Sequence, residues 1–319
     1  MALPEVPLRN WVLVDPVTGE VFERLLARDW VRYFQNTADQ INTNETGVAA
    51  NKTKLDGYIN VVSQGATGDG VTDDTAAIQK AITACPTGGM VYIPPCESGK
   101  FYKLTQALTV DKAIRLVGAG YQAGTGSLDG SVLQQTGGGQ NVLSCLGVNG
   151  LVVEHLALGG LDGTGDALFL GSGVSGSIFR DIFIPGAGGS GLSIELGENS
   201  LNTYESVRVS DGAAFGYGTP LSGFKVFGGP NLWSNCVVDG LGTGIRLDGY
   251  GTWVGLRIEG CETGIVWSGT DSNIGNVFLN ASATGCTTVH SVSGTPTESR
   301  ALSLGDGSGD NAFALPSTV

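Results

Sequence analysis

Glycine-led segments recur along the middle of the chain, and this repeat constrains the fold more than any other feature. Each of six glycines precedes a short apolar segment, and the successive intervals are 26, 32, 21, 20 and 21 residues. The six are Gly165, Gly191, Gly223, Gly244, Gly264 and Gly285. Such a repeat predicts a parallel β-solenoid, because each unit buries its apolar side chains only by stacking on the next.

A second strand-like segment precedes each glycine, and its period-2 alternation assigns side chains to two sides. Two apolar columns are predicted to point inward: Leu156, Ile182, Val207, Cys236, Leu256 and Val277, then Leu158, Ile184, Val209, Val238, Ile258 and Leu279. The residues between them are predicted to point outward: Ala157, Phe183, Arg208, Val237, Arg257 and Phe278. We expect about eight or nine coils between Leu104 and His290, which form a rod of about 40 Å.

Composition excludes several other classes of protein. Glycine contributes 52 of 319 residues without an every-third-residue pattern, which excludes a collagen-like rod. Hydrophobic residues make up 41% and charged residues 15%, a balance that disordered chains do not have. The net charge of −13 argues against nucleic-acid partners and anionic membranes, because both repel an acidic surface.

The ends, cysteines and histidines narrow the class further. No apolar run reaches the about 20 residues of a membrane helix, and no signal-peptide pattern opens the chain, so we expect neither membrane insertion nor export by a signal peptide. The six cysteines form no CxxC pair, and the chain has two histidines. We therefore expect reduced, mostly buried cysteines, no metal site and no cofactor.

Residues 1–60 differ from the solenoid in composition and are predicted to contain a helix. The apolar residues Phe34, Ile41, Val48 and Leu55 recur every seven positions, and polar residues or Tyr58 follow three positions after each. A heptad seam with polar positions predicts a short coiled coil whose polar residues fix the register. The alternative is an ordinary amphipathic helix that packs on its own domain.

A specific string of motifs opens the solenoid: GATGDGVTDDTAAIQKAI, GGMVYIPP, YKLTQALTV and IRLVGAG. Thr72 is predicted to cap a helix, with Asp73 and Asp74 in its first turn, where carboxylates favour the positive end of the helix dipole. A strand follows at Val91–Ile93. A short apolar helix is what an open stack of strands needs at its exposed end.

These motifs resemble the start of the pectate-lyase-like right-handed β-helix superfamily, especially its bacteriophage tailspike and depolymerase members. The resemblance implies a parallel homotrimer in the virion tail, made in the bacterial cytoplasm. Residues 1–60 would attach it to tail or portal-adaptor proteins, and the β-helix of residues 61–290 would meet host surface polysaccharide. Within that β-helix, residues 61–100 hold the capping helix and first strand, and residues 291–319 form a C-terminal tail.

Carboxylates on the solenoid surface are the candidates for catalysis. Asp239 and Glu259 occupy equivalent positions (the same station of the repeat) on neighbouring coils. Their predicted separation of about 5 Å fits the acid and nucleophile of a retaining glycosidase. The alternative is a solvated turn in which Arg257 and Arg246 balance their charge. Asp248 is a weaker candidate, and Glu195 is remote.

The motif acids and a polar column have structural alternatives. The carboxylates of GDGVTDD are expected to cap the fold rather than to catalyse. Glu154 and His155 are candidates for an acid and base. However, His155, Asp181, Ser206 and Asn235 form one column, which favours a turn-stabilising polar ladder.

Aromatic residues are the candidates for sugar binding. Trp233 and Trp253 share a station and, with Tyr250, Arg246 and Arg257, are predicted to bind glycan, because sugar faces stack on aromatic rings while hydroxyls pair with guanidinium groups. The alternatives are that both tryptophans fill a contact between protomers or pack inward. Trp267 is predicted to lie in the core.

The sequence therefore leaves three functions open. The first is a tailspike that binds host polysaccharide without cleaving it, which is slightly favoured because no acid pair stands out. The second is a tailspike depolymerase, either a glycosidase or a polysaccharide lyase. The third is a purely structural fibre or adaptor of the virion.

Overall fold

The chain forms a parallel β-helix, seen in a computed structural model that describes residues 57–123, 128–161, 164–194, 199–212, 216–249, 251–268, 276–293 and 302–304. The expectations for residues 1–56, including the heptad seam, lie outside this part of the chain. The described residues belong to a compact unit that begins at Gly57. The predicted domain limits, the right hand of the helix and the trimer stay predictions.

Three rows of parallel strands make the sides of the helix. The first sheet contains β1 (Tyr58–Asn60), β2 (Met90–Ile93), β5 (Arg115–Gly118), β10 (Val152–Gly160), β12 (Ile178–Gly186), β14 (Thr203–Ser210), β16 (Asn231–Ser234), β19 (Gly251–Val254), β22 (Val277–Leu279) and β25 (Leu302–Leu304). The second contains β3 (Tyr102–Leu104), β8 (Val132–Gln135), the second halves of β10, β12 and β14, then β17 (Val237–Asp239), β20 (Arg257–Glu259) and β23 (Ser282–Thr284).

The third sheet runs in register through eight coils. It contains β4 (Leu108–Val110), β9 (Leu143–Cys145), β11 (Leu168–Leu170), β13 (Leu192–Ile194), β15 (Phe224–Val226), β18 (Thr243–Leu247), β21 (Thr263–Ser268) and β24 (Thr288–Ser293). Every neighbouring pair in it is parallel. The prediction of a parallel β-solenoid with eight or nine coils is therefore confirmed.

The predicted inward columns are confirmed except in the last coil. The first five residues of each column are fully buried on the inner side of the second sheet. Val277 and Leu279 were assigned wrongly, because β22 pairs with β19 in the first sheet. Ala283 takes the inward place next to Ile258. The inward strand of that coil, Ser282–Thr284, has one apolar residue, so the more apolar segment Val277–Leu279 was chosen in its place.

An outer layer covers part of the predicted outward column. Arg208 and Arg257 are exposed as expected. Ala157 and Phe183 are buried instead, because an antiparallel hairpin of β6 (Tyr121–Ala123) and β7 (Leu128–Gly130) contributes to an apolar cluster outside the second sheet. Val237 is also buried, and Phe278, in β22 of the first sheet, points into the core.

Four of the six repeat glycines occupy one tight corner. Gly191, Gly223, Gly244 and Gly264 stack before the third sheet, and a Cβ on each would lie 2.5–2.8 Å from a carbonyl oxygen of the next coil. No side chain fits there without moving backbone. Gly165 and Gly285 fall outside the column, since Ala167 aligns with Gly191 and Val289 follows Gly264.

The predicted helix is present as α1 (Thr75–Ala84), after a 3₁₀ turn at Val61–Gln64. It buries Ile78, Ala81 and Ile82 and packs against β4, the end strand of the third sheet. The predicted start was wrong: Asp74 is the N-cap residue and Asp73 precedes it, because the Thr72 hydroxyl donates to Asp69 instead. The capping role of α1 stays a prediction.

The close packing at the glycine corner predicts that an added methyl group destabilises the fold there and not at a nearby glycine. Gly244→Ala places a Cβ 2.5 Å from Gly264 O and 2.8 Å from Ile258 Cγ2, whereas Gly242→Ala meets nothing closer than 3.9 Å. We expect Gly244→Ala to lower the free energy of unfolding by about 1–3 kcal/mol. Denaturant unfolding measures it, and an equal effect of Gly242→Ala would contradict the corner geometry.

Candidate functional site

The acids of the opening motif bind their own loop. Asp74 is buried, and its carboxylate accepts hydrogen bonds from Thr67 N (2.7 Å), Thr67 Oγ1 (3.1 Å) and Gly68 N (3.1 Å). Asp69 accepts from Val71 N, Thr72 N and Thr72 Oγ1 at 2.7–2.8 Å. These bonds explain the order of residues in the motif without any catalytic role.

Hydrogen bonds also set the ionisation of two of these acids. The bonds from Thr72 and Val71 lower the pKa of Asp69 to about 2. The Thr75 hydroxyl, with a smaller contribution from Thr105, lowers the pKa of Asp73. Both carboxyls are therefore held ionised, which is the opposite of what a general acid requires.

The structure places Asp239 and Glu259 side by side, as predicted. They are register neighbours at the ends of β17 and β20, on strands about 4.8 Å apart. Both side chains are 39% exposed. Arg208 lies 3.4 Å from Asp239 Oδ2, and Arg257 lies 3.4 Å from Glu259 Oε1. Each carboxylate thus has a guanidinium partner on the same surface.

Arg246 and Asp248 lie apart from this pair. Arg246 is exposed on β18 of the third sheet, between Lys225 and Val266, and Asp248 follows the same strand. Of the two predicted balancing charges, Arg257 lies beside the pair and Arg246 lies on another side of the helix. Arg208, which was not predicted, takes the place of Arg246 beside Asp239. Glu195 and Tyr250 lie outside the described residues.

The prediction that Trp233 and Trp253 bind sugar was wrong, because both rings lie in the core. They are 1% and 0% exposed and stack at 4.3 Å between centroids, with ring planes nearly parallel at 9°. Tyr204 stacks on Trp233 at 3.9 Å, and Phe278 follows Trp253 at 5.8 Å. The inward alternative is confirmed, and burial also excludes a contact between protomers. Trp267 is buried as predicted.

The polar column at residue 155 is confirmed as a backbone feature. His155, Asp181, Ser206 and Asn235 all have positive φ, between 49° and 60°, and Asn280 shares that conformation. His155 Nδ1 lies 2.8 Å from Asp181 Oδ2, and Tyr121 Oη donates to Asp181 Oδ1 at 3.2 Å. Short polar residues tolerate this left-handed conformation at a corner where the chain turns.

A charged row beside this corner was missed by the sequence analysis. Glu154 is almost fully buried and contacts Arg115, and Glu154 Oε2 lies 3.5 Å from Arg180 Nη1. Arg180 Nε in turn lies 2.9 Å from Glu205. Glu154 is therefore tied to arginines rather than to His155. The sequence does contain a signal for this row, because Glu154, Arg180 and Glu205 occupy equivalent positions of the repeat.

The described ranges also bear on metal and membrane sites. Among those residues, no group of three or more His, Cys, Asp or Glu side chains is arranged to hold a metal ion. No helix described there has the length and apolar character needed to cross a membrane.

The start of the β-helix is similar to a known protein family. Residues 58–145 match the family model "Rhamnogalacturonase A/epimerase, pectate lyase-like". That segment is therefore similar to the pectate-lyase-like family, as the opening motifs predicted.

Curated relatives share a short stretch with this chain. An exo-poly-α-D-galacturonosidase of Dickeya chrysanthemi is 45% identical over 58 residues, which are 18% of this chain and 10% of that protein. Mannuronan C5-epimerase AlgE1 of Azotobacter vinelandii is 48% identical over 66 residues, 19% of this chain and 5% of that enzyme. The chain thus spans a tenth or less of these relatives.

Two solved structures illustrate the structural neighbours. ORF18 of Geobacillus virus E2 has a TM-score of 0.38 and 18% identity, and the match covers 86% of this chain and 65% of that one. An exopolygalacturonase from Thermotoga maritima has a TM-score of 0.33 and 11% identity, with 74% and 88% covered.

The aromatic stack gives a stability prediction. Trp253→Ala removes a fully buried ring from between two others, so we expect the free energy of unfolding to fall by about 3–5 kcal/mol. Trp253→Phe keeps the stack and loses the bond from Trp253 Nε1 to Asn276, so its loss is smaller. Chemical denaturation measures both, and an unchanged midpoint for Trp253→Ala would refute inward packing.

The carboxyl of Asp69 gives a pH prediction. Its folded pKa of about 2 lies below the about 3.9 of an unfolded Asp, so it stabilises the fold above pH 4 and this contribution disappears as the pH falls towards 2. We expect Asp69→Asn to lower the melting temperature at pH 6 and to differ less from the parent protein near pH 2. A gap that widens in acid would contradict this sign.

Proposed function

We propose that this protein is a tailspike of pectate-lyase-like type that binds host cell-surface polysaccharide through its β-helix. The observation that carries the proposal is a polar strip on the outward side of the second sheet. It consists of Arg208, Asp239, Arg257, Glu259, Ser282 and Thr284, on the strands β14, β17, β20 and β23.

The chemistry of the polar strip suits a chain of sugars. Guanidinium and carboxylate groups make strong, often bidentate hydrogen bonds to hydroxyls. Four of these side chains are 39–58% exposed, and they lie on three successive coils about 4.8 Å apart, with Arg208 and Arg257 on either side of buried Val237. Relatives of the opening segment are named for galacturonoside and mannuronan substrates, which supports a polysaccharide ligand.

The remaining parts of the proposal rest on the resemblance of the opening motifs. Residues 1–60 attach the protein to tail or portal-adaptor proteins, α1 caps the first coil, and the chain assembles as a parallel homotrimer. On this basis the protein acts in the virion, outside the host cell that made it.

A depolymerase is the second candidate, favoured by one observation. Asp239 and Glu259 stand on adjacent strands at about the carboxylate separation of a retaining glycosidase. Each carboxylate also lies 3.4 Å from an arginine of its own, so surface ion pairing accounts for the arrangement without catalysis. Binding without cleavage is therefore the first candidate.

Binding is tested with two arginines on different sides of the helix. We expect Arg257→Ala to weaken binding of purified host surface polysaccharide at least about tenfold, since a charged hydrogen bond contributes about 1.5–3 kcal/mol. Arg246→Ala on the third sheet serves as the control, with titration calorimetry as the measurement. If the protein binds no surface polysaccharide from any host to which it adsorbs, both polysaccharide functions are excluded and the structural-fibre function remains.

Cleavage is tested on the same preparation. The assay follows new reducing ends and the absorbance of unsaturated uronate during incubation with the polysaccharide. We expect binding without product. Sustained product that disappears in both Asp239→Asn and Glu259→Gln would instead establish the depolymerase.

A further inference from the structure

The outward side of the first sheet carries two columns of side chains that alternate with the core residues. One column is Tyr58, Met90, Arg115, Val152, Ile178, Thr203, Leu232, Thr252 and Val277. The other is Asn60, Tyr92, Val117, Glu154, Arg180, Glu205, Ser234, Val254 and Leu279. More than half of these residues are apolar or aromatic, and we call this side the apolar face.

The other two sheets do not share this character. The second presents the polar strip beyond an apolar cluster that the hairpin of β6 and β7 already covers. The third presents Thr109, Ser144, Ser193, Lys225 and Arg246, with only Phe169 and Val266 as apolar residues among its described register partners up to β21. A parallel sheet with apolar residues on both sides is typically covered on both sides. On the apolar face, Tyr58 and Leu232 are 41% and 42% exposed, and Leu201, just before β14, is 70% exposed.

We propose that the apolar face is the surface through which copies of this chain associate. The proposal rests on the self-association included in the proposed function and assigns it to one side of the helix. It places the polar strip on a different side, so that polysaccharide binding and assembly do not compete.

Charge favours a second copy as the occupant. The charged row on the apolar face alternates in sign along the helix, as Arg115, Glu154, Arg180 and Glu205, and its members pair within the chain. The row has no net charge and leaves no ion unpaired when it is buried. A neutral row needs no oppositely charged partner, so the same surface of another copy can cover it.

The size of the face also fits association between copies. The nine strands from β1 to β22 extend over eight steps of about 4.8 Å, or about 38 Å. Two columns of nine outward side chains approach the roughly 20–30 residues that each partner contributes to a standard interface, which buries about 800 Å² per partner.

Cross-linking of single-cysteine additions tests the assignment in the full-length protein. Val254→Cys lies on the apolar face, and Val266→Cys is its matched control on the third sheet, since both valines are half-buried outward residues of the same coil. Leu232→Cys is a second position on the apolar face. A short bismaleimide reagent is the probe, and the unsubstituted protein gives the background from its own cysteines.

We expect covalent multimers from Val254→Cys or Leu232→Cys and only background from Val266→Cys. A multimeric protein that cross-links at neither apolar position, or equally at Val266, overturns the assignment of the face while leaving self-association intact. A parent protein whose sedimentation mass is that of one 32.7 kDa chain overturns the inference and the proposed homotrimer together. Polysaccharide binding is measured separately, so its failure does not affect this result.

Discussion

In-register stacking of successive coils, about 4.8 Å apart, is the constraint on which the rest of the structure depends. Each residue lies beside its equivalents in the neighbouring coils, so side chains at equivalent positions contact one another along the helix. In the core, the rings of Phe179, Tyr204, Trp233, Trp253 and Phe278 form one stack with neighbouring centroids 3.9–5.8 Å apart. At the corner before the third sheet, the same constraint requires glycine in successive coils.

The sequence predicted those features that repeat with a clear chemical signature. The glycine corner was visible because four successive coils leave no space for a side chain there, and the columns through Leu156 and Leu158 because apolar residues alternate two positions apart in each coil, with an arginine between them in two. Asp239 and Glu259 were placed correctly for the same reason, since stations in the second sheet follow directly from the repeat. The hairpin over Phe183 was not visible, because it is an insertion that belongs to no coil.

The first sheet explains where the prediction failed. Its strands carry apolar residues on both sides, so alternation does not distinguish inward from outward. In β16, exposed Leu232 precedes buried Trp233, and in β22 half-buried Val277 precedes buried Phe278. A tryptophan in such a strand is equally compatible with a sugar platform and with the core. Apolar residues on both sides of this sheet therefore explain why Trp233 and Trp253 were predicted wrongly. The same residues indicate a sheet that is covered on both sides.

The outward side chains are free to differ between sheets because the stack satisfies the backbone without them. Strand amides bond to the next coil, and at the buried turn before the first sheet side chains complete the pattern: Asn202 Oδ1 accepts from Ser177 N, and Asn231 Oδ1 accepts from Asn202 N, both at 3.0 Å. The fold therefore constrains the inward and corner positions and leaves the outward ones unconstrained. An apolar outer side on one sheet and paired charges on another then require a cause outside the chain, which is why partners explain them better than folding does.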